Sequence, residues 1–292
     1  MWGNNCLTSQ NPNNHKDFRY FDQGKVQQIT MKKLSLVIAL LIWIGCKPAD
    51  PSMENHSARQ YYQLRTYSFA NIVQAQATRL YLKDALIPAL QRMQIGPVGV
   101  FNNRVDEKDT LPRTYVLIPL QSLNELLEID QTLATDSIYS ADGQAFLSAN
   151  YDNPPYLRLE STLLHAFSEW PQLVTPPLDG PRADRIYELR SYESPTESYG
   201  KNKIEMFNAG GEVRLFERLG CNAVFYGQVV SGSRMPNLMY MTAYSDSTSR
   251  YQHWDAFFGS PEWKSLISNP YYDHNVNHAD IWLLYPTEYS EY

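Results

Sequence analysis

Apolar and polar positions alternate most sharply in two short stretches of the chain. In Ile186-Tyr187-Glu188-Leu189-Arg190-Ser191-Tyr192, a period of two separates Tyr187, Leu189 and Ser191 from Ile186, Glu188, Arg190 and Tyr192, which predicts a strand. A near copy, Tyr61-Tyr62-Gln63-Leu64-Arg65-Thr66-Tyr67, lies 125 positions earlier, counting Tyr187 against Tyr62. The shared pattern Tyr-x-Leu-Arg-x-Tyr predicts the start of two related units, at residues 61–168 and 185–287.

The first unit continues with Leu82, Leu86, Leu90 and Met93 on one helical face, where Pro88 predicts a kink or break near Ile87. A short strand over 98–101, a polar hairpin loop over 102–112 and a strand over 114–120 follow. Ser122-Leu123-Asn124-Glu125 is a capping box that opens a second helical region. Asn153-Pro154-Pro155 ends that region, and 156–167 reads as the closing strand. The segment 169–184, with Pro171, Pro176, Pro177 and Pro181, reads as a linker.

The second unit repeats the order. Ser194-Pro195-Thr196-Glu197 predicts a helix capped by Ser194 with proline at its first position. Gly210-Gly211 weakens the middle of that helix and Gly220 sits at its end. Strands over 223–230 and 238–244 form a hairpin around Ser231-Gly232-Ser233. A helical region over 247–267 has a second start at Ser260-Pro261-Glu262, and a closing strand ends near Tyr285. Leu163-Leu164 and Leu283-Leu284 align at an offset of 120. Residues 288–292 read as a tail.

Each unit is therefore βαββαβ, the ferredoxin-like order. Helices cover only one face of such a sheet, and the other must bury itself against a partner sheet. The predicted fold is α+β: two ferredoxin-like units in tandem, sheets face to face as an α/β barrel with helices outside.

The amino end has a different pattern. Residues 1–30 are polar and rich in Asn and Gln, and read as an unstructured upstream extension. Met31-Lys32-Lys33 and the apolar run Leu34 to Ile44 then form the charged and hydrophobic parts of an export signal. The run is too short for a stable transmembrane helix, which needs about 20 apolar residues. Its end, Trp43-Ile44-Gly45-Cys46, resembles a bacterial lipobox, so 31–46 is read as a lipoprotein signal and Cys46 as the lipidated residue. Residues 47–60 are the tether. The expectation is an exported protein, held on a bacterial envelope membrane through Cys46 and facing periplasm or exterior.

Composition adds limits. Of the 292 residues, 43% are hydrophobic and 19% charged, which is globular. A net charge of −6 gives no footprint for nucleic acid. The 21 tyrosines and 6 tryptophans suffice for well-filled cores. Cys6, Cys46 and Cys221 cannot form a disulfide framework, and Cys221 reads as a small buried hydrophobe.

Several stretches together resemble the NIPSNAP family: Tyr187-Glu188-Leu189-Arg190-Ser191-Tyr192, Glu205-Met206-Phe207-Asn208, Leu219 to Gly227, Met235-Pro236-Asn237-Leu238-Met239-Tyr240-Met241, His274-Asn275-Val276 and Asp280-Ile281-Trp282-Leu283-Leu284. The first half is similar more loosely, with Gln63 in place of the glutamate. The resemblance implies a domain of the dimeric α/β-barrel type. That fold also hosts cofactor-independent monooxygenases, haem-degrading enzymes and isomerases, an analogy of fold alone.

Two strand faces carry candidate chemistry. If the Glu188, Arg190 and Tyr192 face lines the barrel, with Gln63, Arg65 and Tyr67 opposite, the arginines offer forks of donors to a small anion. Glu188, Arg190, Arg65 and Tyr67 are then candidate ligand-binding residues; the alternative is a structural ion pair of Arg190 with Glu188. On the closing strand, His278 beside Asp280 forms a candidate general base, with Tyr192 as a further catalytic candidate. Arg158 and Glu160 occupy the equivalent places in the first half, which predicts an interior polar cluster. No phosphate loop, dinucleotide pattern, nucleophile elbow or zinc spacing occurs, so no metal or cofactor is expected. The functional expectation is an envelope protein binding a small ligand or a protein partner. The alternatives are a cofactor-independent oxygenase or isomerase using the interior, and an assembly protein with a filled barrel. A homo-oligomer is left open.

Overall fold

The computed structural model describes residues 58–104 and 110–292. The expected extension, the signal with Cys46 and most of the tether lie outside the described residues. In the first half β1 (Tyr61–Ser68) is followed by α1 (Ile72–Tyr81), a π-helical turn (Leu82–Leu86) and α2 (Ile87–Arg92). Then come β2 (Gly99–Asn103), β3 (Arg113–Leu120), α3 (Leu123–Thr135), α4 (Ser137–Asp142), α5 (Gln144–Leu147) and β4 (Arg158–Ala166). The second half has β5 (Ile186–Glu193), α6 (Glu197–Phe207), α7 (Glu212–Arg218), β6 (Ala223–Ser231), β7 (Asn237–Tyr244), α8 (Ser247–Gly259), α9 (Pro261–Ile267) and β8 (His278–Pro286). The order βαββαβ occurs twice, as expected.

The eight strands close into one antiparallel barrel in the order β1-β3-β2-β8-β5-β7-β6-β4. Each half supplies four neighbouring strands, and the seams between halves are β2 with β8 and β4 with β6. Helices lie outside. One apolar cluster lines the barrel interior with residues of both halves, among them Tyr62, Leu64, Phe101, Tyr187, Leu189 and Phe225. Two further clusters lie between each sheet and its own helices.

Local sequence explains most element ends. Pro88 has no N–H to donate to the preceding turn, and the helix widens into its π turn at Leu82–Leu86, one turn earlier than the expected break. Ser122 and Ser260 cap α3 and α9, accepting from the backbone N–H of Glu125 and Trp263, both at 3.2 Å. The α6 cap is corrected from Ser194 to Thr196. Ser194 is instead buried, its hydroxyl donating to the Asn275 carbonyl at 2.7 Å. Gly211, at φ +92°, divides α6 from α7, so the expected single weakened helix is two.

Two segments read as connectors do structural work at one end of the barrel. Leu173 and Leu178 of the proline-rich linker pack on the interior cluster. Thr287 to Glu291 runs beside β2, with Thr287 N–H donating to Val100 O at 2.9 Å and Glu291 N–H to Val98 O at 3.1 Å. Tyr292 is thereby inserted among Phe101 and Tyr187, at ring distances of 5.7 and 6.1 Å. That end is closed.

Candidate functional site

The other end is hollow. A cavity of about 490 Å³ opens there, within the range that holds a single small ligand. Strand register sorts its surroundings by depth, since equivalent positions of the two halves share a level. Outermost are Ser68 beside Arg113 and Arg158, and Glu193 beside Asn237 and His278. Two residues deeper come Thr66 beside Tyr115 and Glu160, and Ser191 beside Met239 and Asp280. The deepest level is Leu64 beside Thr162, and Leu189 beside Trp282. Charge is confined to the outer two levels.

His278 and Asp280 lie on the inward-facing side of β8 at this mouth, His278 Nε2 standing 3.3 Å from Asp280 Oδ1. Arg234, on the β6–β7 hairpin, reaches across to both Asp280 and Glu193, the latter at 3.1 Å. Its guanidinium also stands 6.0 Å from the Trp282 ring centre. Glu193, His278 and Asp280 could together face a cation, with ligand atoms within 4.8 Å of one another. Arg234 already satisfies both carboxylates, so the group is better described as an ion-pair network. Arg158 and Glu160 hold the equivalent places in the first half, exposed at the rim. Among the described residues Arg158 makes no ion pair.

The opening-strand face is placed differently from expectation. Tyr187, Leu189 and Ser191 point into the barrel, whereas Glu188, Arg190 and Tyr192 point outward beneath the helices. Glu188 is fully buried there. It accepts from Arg190 Nε at 2.6 Å, from Trp254 Nε1 at 2.9 Å and from Arg250 Nε. Arg190 lies 3.7 Å over the Trp254 ring and donates to Tyr192 Oη at 2.9 Å, which in turn meets Tyr240 Oη at 3.0 Å. Burial opposes the Arg190 charge, but Tyr240, Tyr192 and the Glu188 carboxylate outweigh it and hold its pKa above the ordinary value. This set fastens α8 to the sheet and encloses no cavity, so Glu188, Arg190 and Tyr192 are corrected from interior to helix-facing residues. Gln63, Arg65 and Tyr67 take the same outward face in the first half. Arg65 Nε donates to Gln63 Oε1 at 2.9 Å, and Tyr67 packs on Phe146 and Tyr156.

A second buried pair, Lys203 Nζ with Glu212 Oε2 at 2.9 Å, joins α6 to α7 in the same layer. Cys221 is buried in the apolar cluster of the same layer, and burial, with Glu188 adding, pushes its thiol up to about 12, which leaves it protonated and inert. His165 stacks on Tyr61 at 4.5 Å and is structural.

Sequence reasoning missed Arg113, Arg234, Trp282 and the small polar pair Thr66 and Ser191. A signal existed for the last two: both are hydroxyl residues at the same point of the repeated motif, on the face otherwise given to Tyr and Leu. Arg234 sits in a hairpin loop, where no periodicity reports direction.

Comparison with known proteins places the second half. Residues 187–291 match the family model described as NIPSNAP. By that match this half resembles a NIPSNAP domain. The whole barrel is similar to a candidate monooxygenase of Lactobacillus acidophilus, with TM-score 0.50 and 10% identity over 78% of this chain and 94% of that one. A candidate monooxygenase of Fusobacterium nucleatum gives 0.51 and 11%, over 79% and 93%. At these identities the likeness is one of fold. A NIPSNAP family protein of Agrobacterium tumefaciens matches 39% of this chain and 98% of its own, at 18% identity and TM-score 0.33. No curated protein matches the chain.

Proposed function

We propose that the barrel mouth, formed jointly by the NIPSNAP-like half and its partner half, binds a small organic ligand carrying an anionic group. The observation that carries this reading is Arg158: a guanidinium at the rim of a cavity of about 490 Å³, without an ion-pair partner among the described residues. A guanidinium offers a planar fork of donors that matches a carboxylate. Arg113 stands on the same level, on the other side of Ser68. The hollow mouth counts against a barrel that is merely filled. Native mass spectrometry of the protein mixed with a library of small carboxylates tests the reading. Retention by the wild type and loss in Arg158→Gln is expected; equal retention in both would overturn it.

The His278–Asp280 contact supports a second reading, in which the oriented imidazole moves a proton on the bound ligand as a cofactor-independent oxygenase or isomerase would require. A compound that is retained and chemically altered by the wild type, but retained unaltered by His278→Gln, is its expected signature.

We further infer export and lipid anchoring at Cys46, supported by Met31-Lys32-Lys33, the apolar run and Gly45-Cys46. The protein should fractionate with membranes in a bacterial host, and Cys46→Ala should release it. Membrane association unchanged by that substitution would refute the anchor.

A further inference from the structure

The cavity levels narrow the ligand class, an inference that rests on the anion-binding reading above. Positive charge that is not already spoken for sits on the outermost level at Arg158. Glu160 follows two residues deeper on the same face of β4, a step of about 7 Å along the strand. The deepest level has no charge and ends on Trp282, whose indole is 6.3 Å from the Tyr115 ring and tilted 44° to it. Arg234 adds no free charge, being held by Glu193 and Asp280.

A simple carboxylate would satisfy Arg158 and leave the Glu160 carboxylate facing its own negative charge. A ligand with an ammonium next to its carboxylate satisfies both. The two groups of an amino acid, each at hydrogen-bond reach of its partner, span the Arg158-to-Glu160 step, and the side chain is then directed inward. The surface it meets there is Leu64, Tyr115, Met239 and Trp282, apolar and aromatic. We propose that the mouth is a site for an aromatic α-amino acid, carboxylate on Arg158, ammonium on Glu160 and ring on Trp282. Chemistry of the same kind at a peptide terminus would lack one of the two charges, so the free amino acid fits best.

Titration calorimetry with L-tryptophan, and with analogues that each lack one feature, tests the assignment. Indole-3-propionate lacks the ammonium, tryptamine the carboxylate, and L-norleucine the ring. L-tryptophan is expected to bind at least tenfold more tightly than each of the three. Glu160→Gln should remove the advantage over indole-3-propionate, and Arg158→Gln the advantage over tryptamine. Both residues are exposed, and the ligand series in the wild type needs no variant to fold. If indole-3-propionate binds as tightly as L-tryptophan, the amino-acid assignment fails and the anion reading stands; if L-norleucine does, the aromatic assignment fails; if tryptamine does, the carboxylate contributes nothing and both readings fail. If neither L-tryptophan nor indole-3-propionate binds, both fail.

Discussion

Glu188 is a carboxylate with no exposure and two arginines for company. Removing it leaves Arg190 and Arg250 without their counter-charge in a low-dielectric layer. Glu188→Ala should therefore lower unfolding free energy by about 3–5 kcal/mol, read from urea denaturation, while Arg158→Gln at the rim should change it by less than about 0.5 kcal/mol. A second expectation concerns alkali. Burial pushes the Cys221 thiol from 9.0, and the Tyr289 phenol from 10.0, each up to about 12. The folded state thus keeps these protons where the unfolded chain has lost them. Their contribution is complete below about pH 9 and declines as pH rises toward 12, so the urea midpoint should fall across that window. A flat midpoint would contradict the burial of both groups. The pairing of Glu188 with Arg190 was legible in the sequence, because residues two apart on a strand share a face. Which face turned inward was not, since both carry tyrosines and the deciding partners, Arg250 and Trp254, come from a helix some sixty residues away.

Elements were legible where the chain carries its own punctuation. Ser122 and Ser260 announce helices by capping them, whereas Gly210-Gly211 announced only a weakened helix where the structure has two. Ser194 misled because its hydroxyl answers a distant carbonyl, that of Asn275, and capping patterns report only neighbours. The role of β2 was likewise hidden, because closing the far end of the barrel depends on Tyr292 coming back to it. Gly99 shows how close that contact is: a Cβ there would lie 2.5 Å from Phe101 Cε2 and 3.2 Å from Tyr292 Cδ2. Gly99→Ala should destabilise the fold by about 1–3 kcal/mol in thermal or urea unfolding. Ligand retention at the opposite mouth should survive it; loss of both together would show the ends to be coupled.

At the scale of the molecule, the duplicated motif was enough to anticipate two sheets closing on one another, because a half-covered sheet needs a partner. The duplication also set Arg158 and Glu160 against His278 and Asp280; what it left unread is that Arg234 ties Asp280 to Glu193 at the mouth. Each half alone exposes an apolar sheet face and two seam strands. Residues 185–292 produced alone should pair into symmetric dimers, measurable by size-exclusion chromatography with light scattering. A soluble monomer would argue that the seams contribute little.

The closed end, stoppered by Tyr292 against Phe101 and Tyr187, makes the barrel a blind well. A guest leaves by the opening it entered, and while it stays no second molecule can reach the floor. Exchange is then strictly one out before one in: adding excess competitor should leave the departure rate of a bound guest untouched.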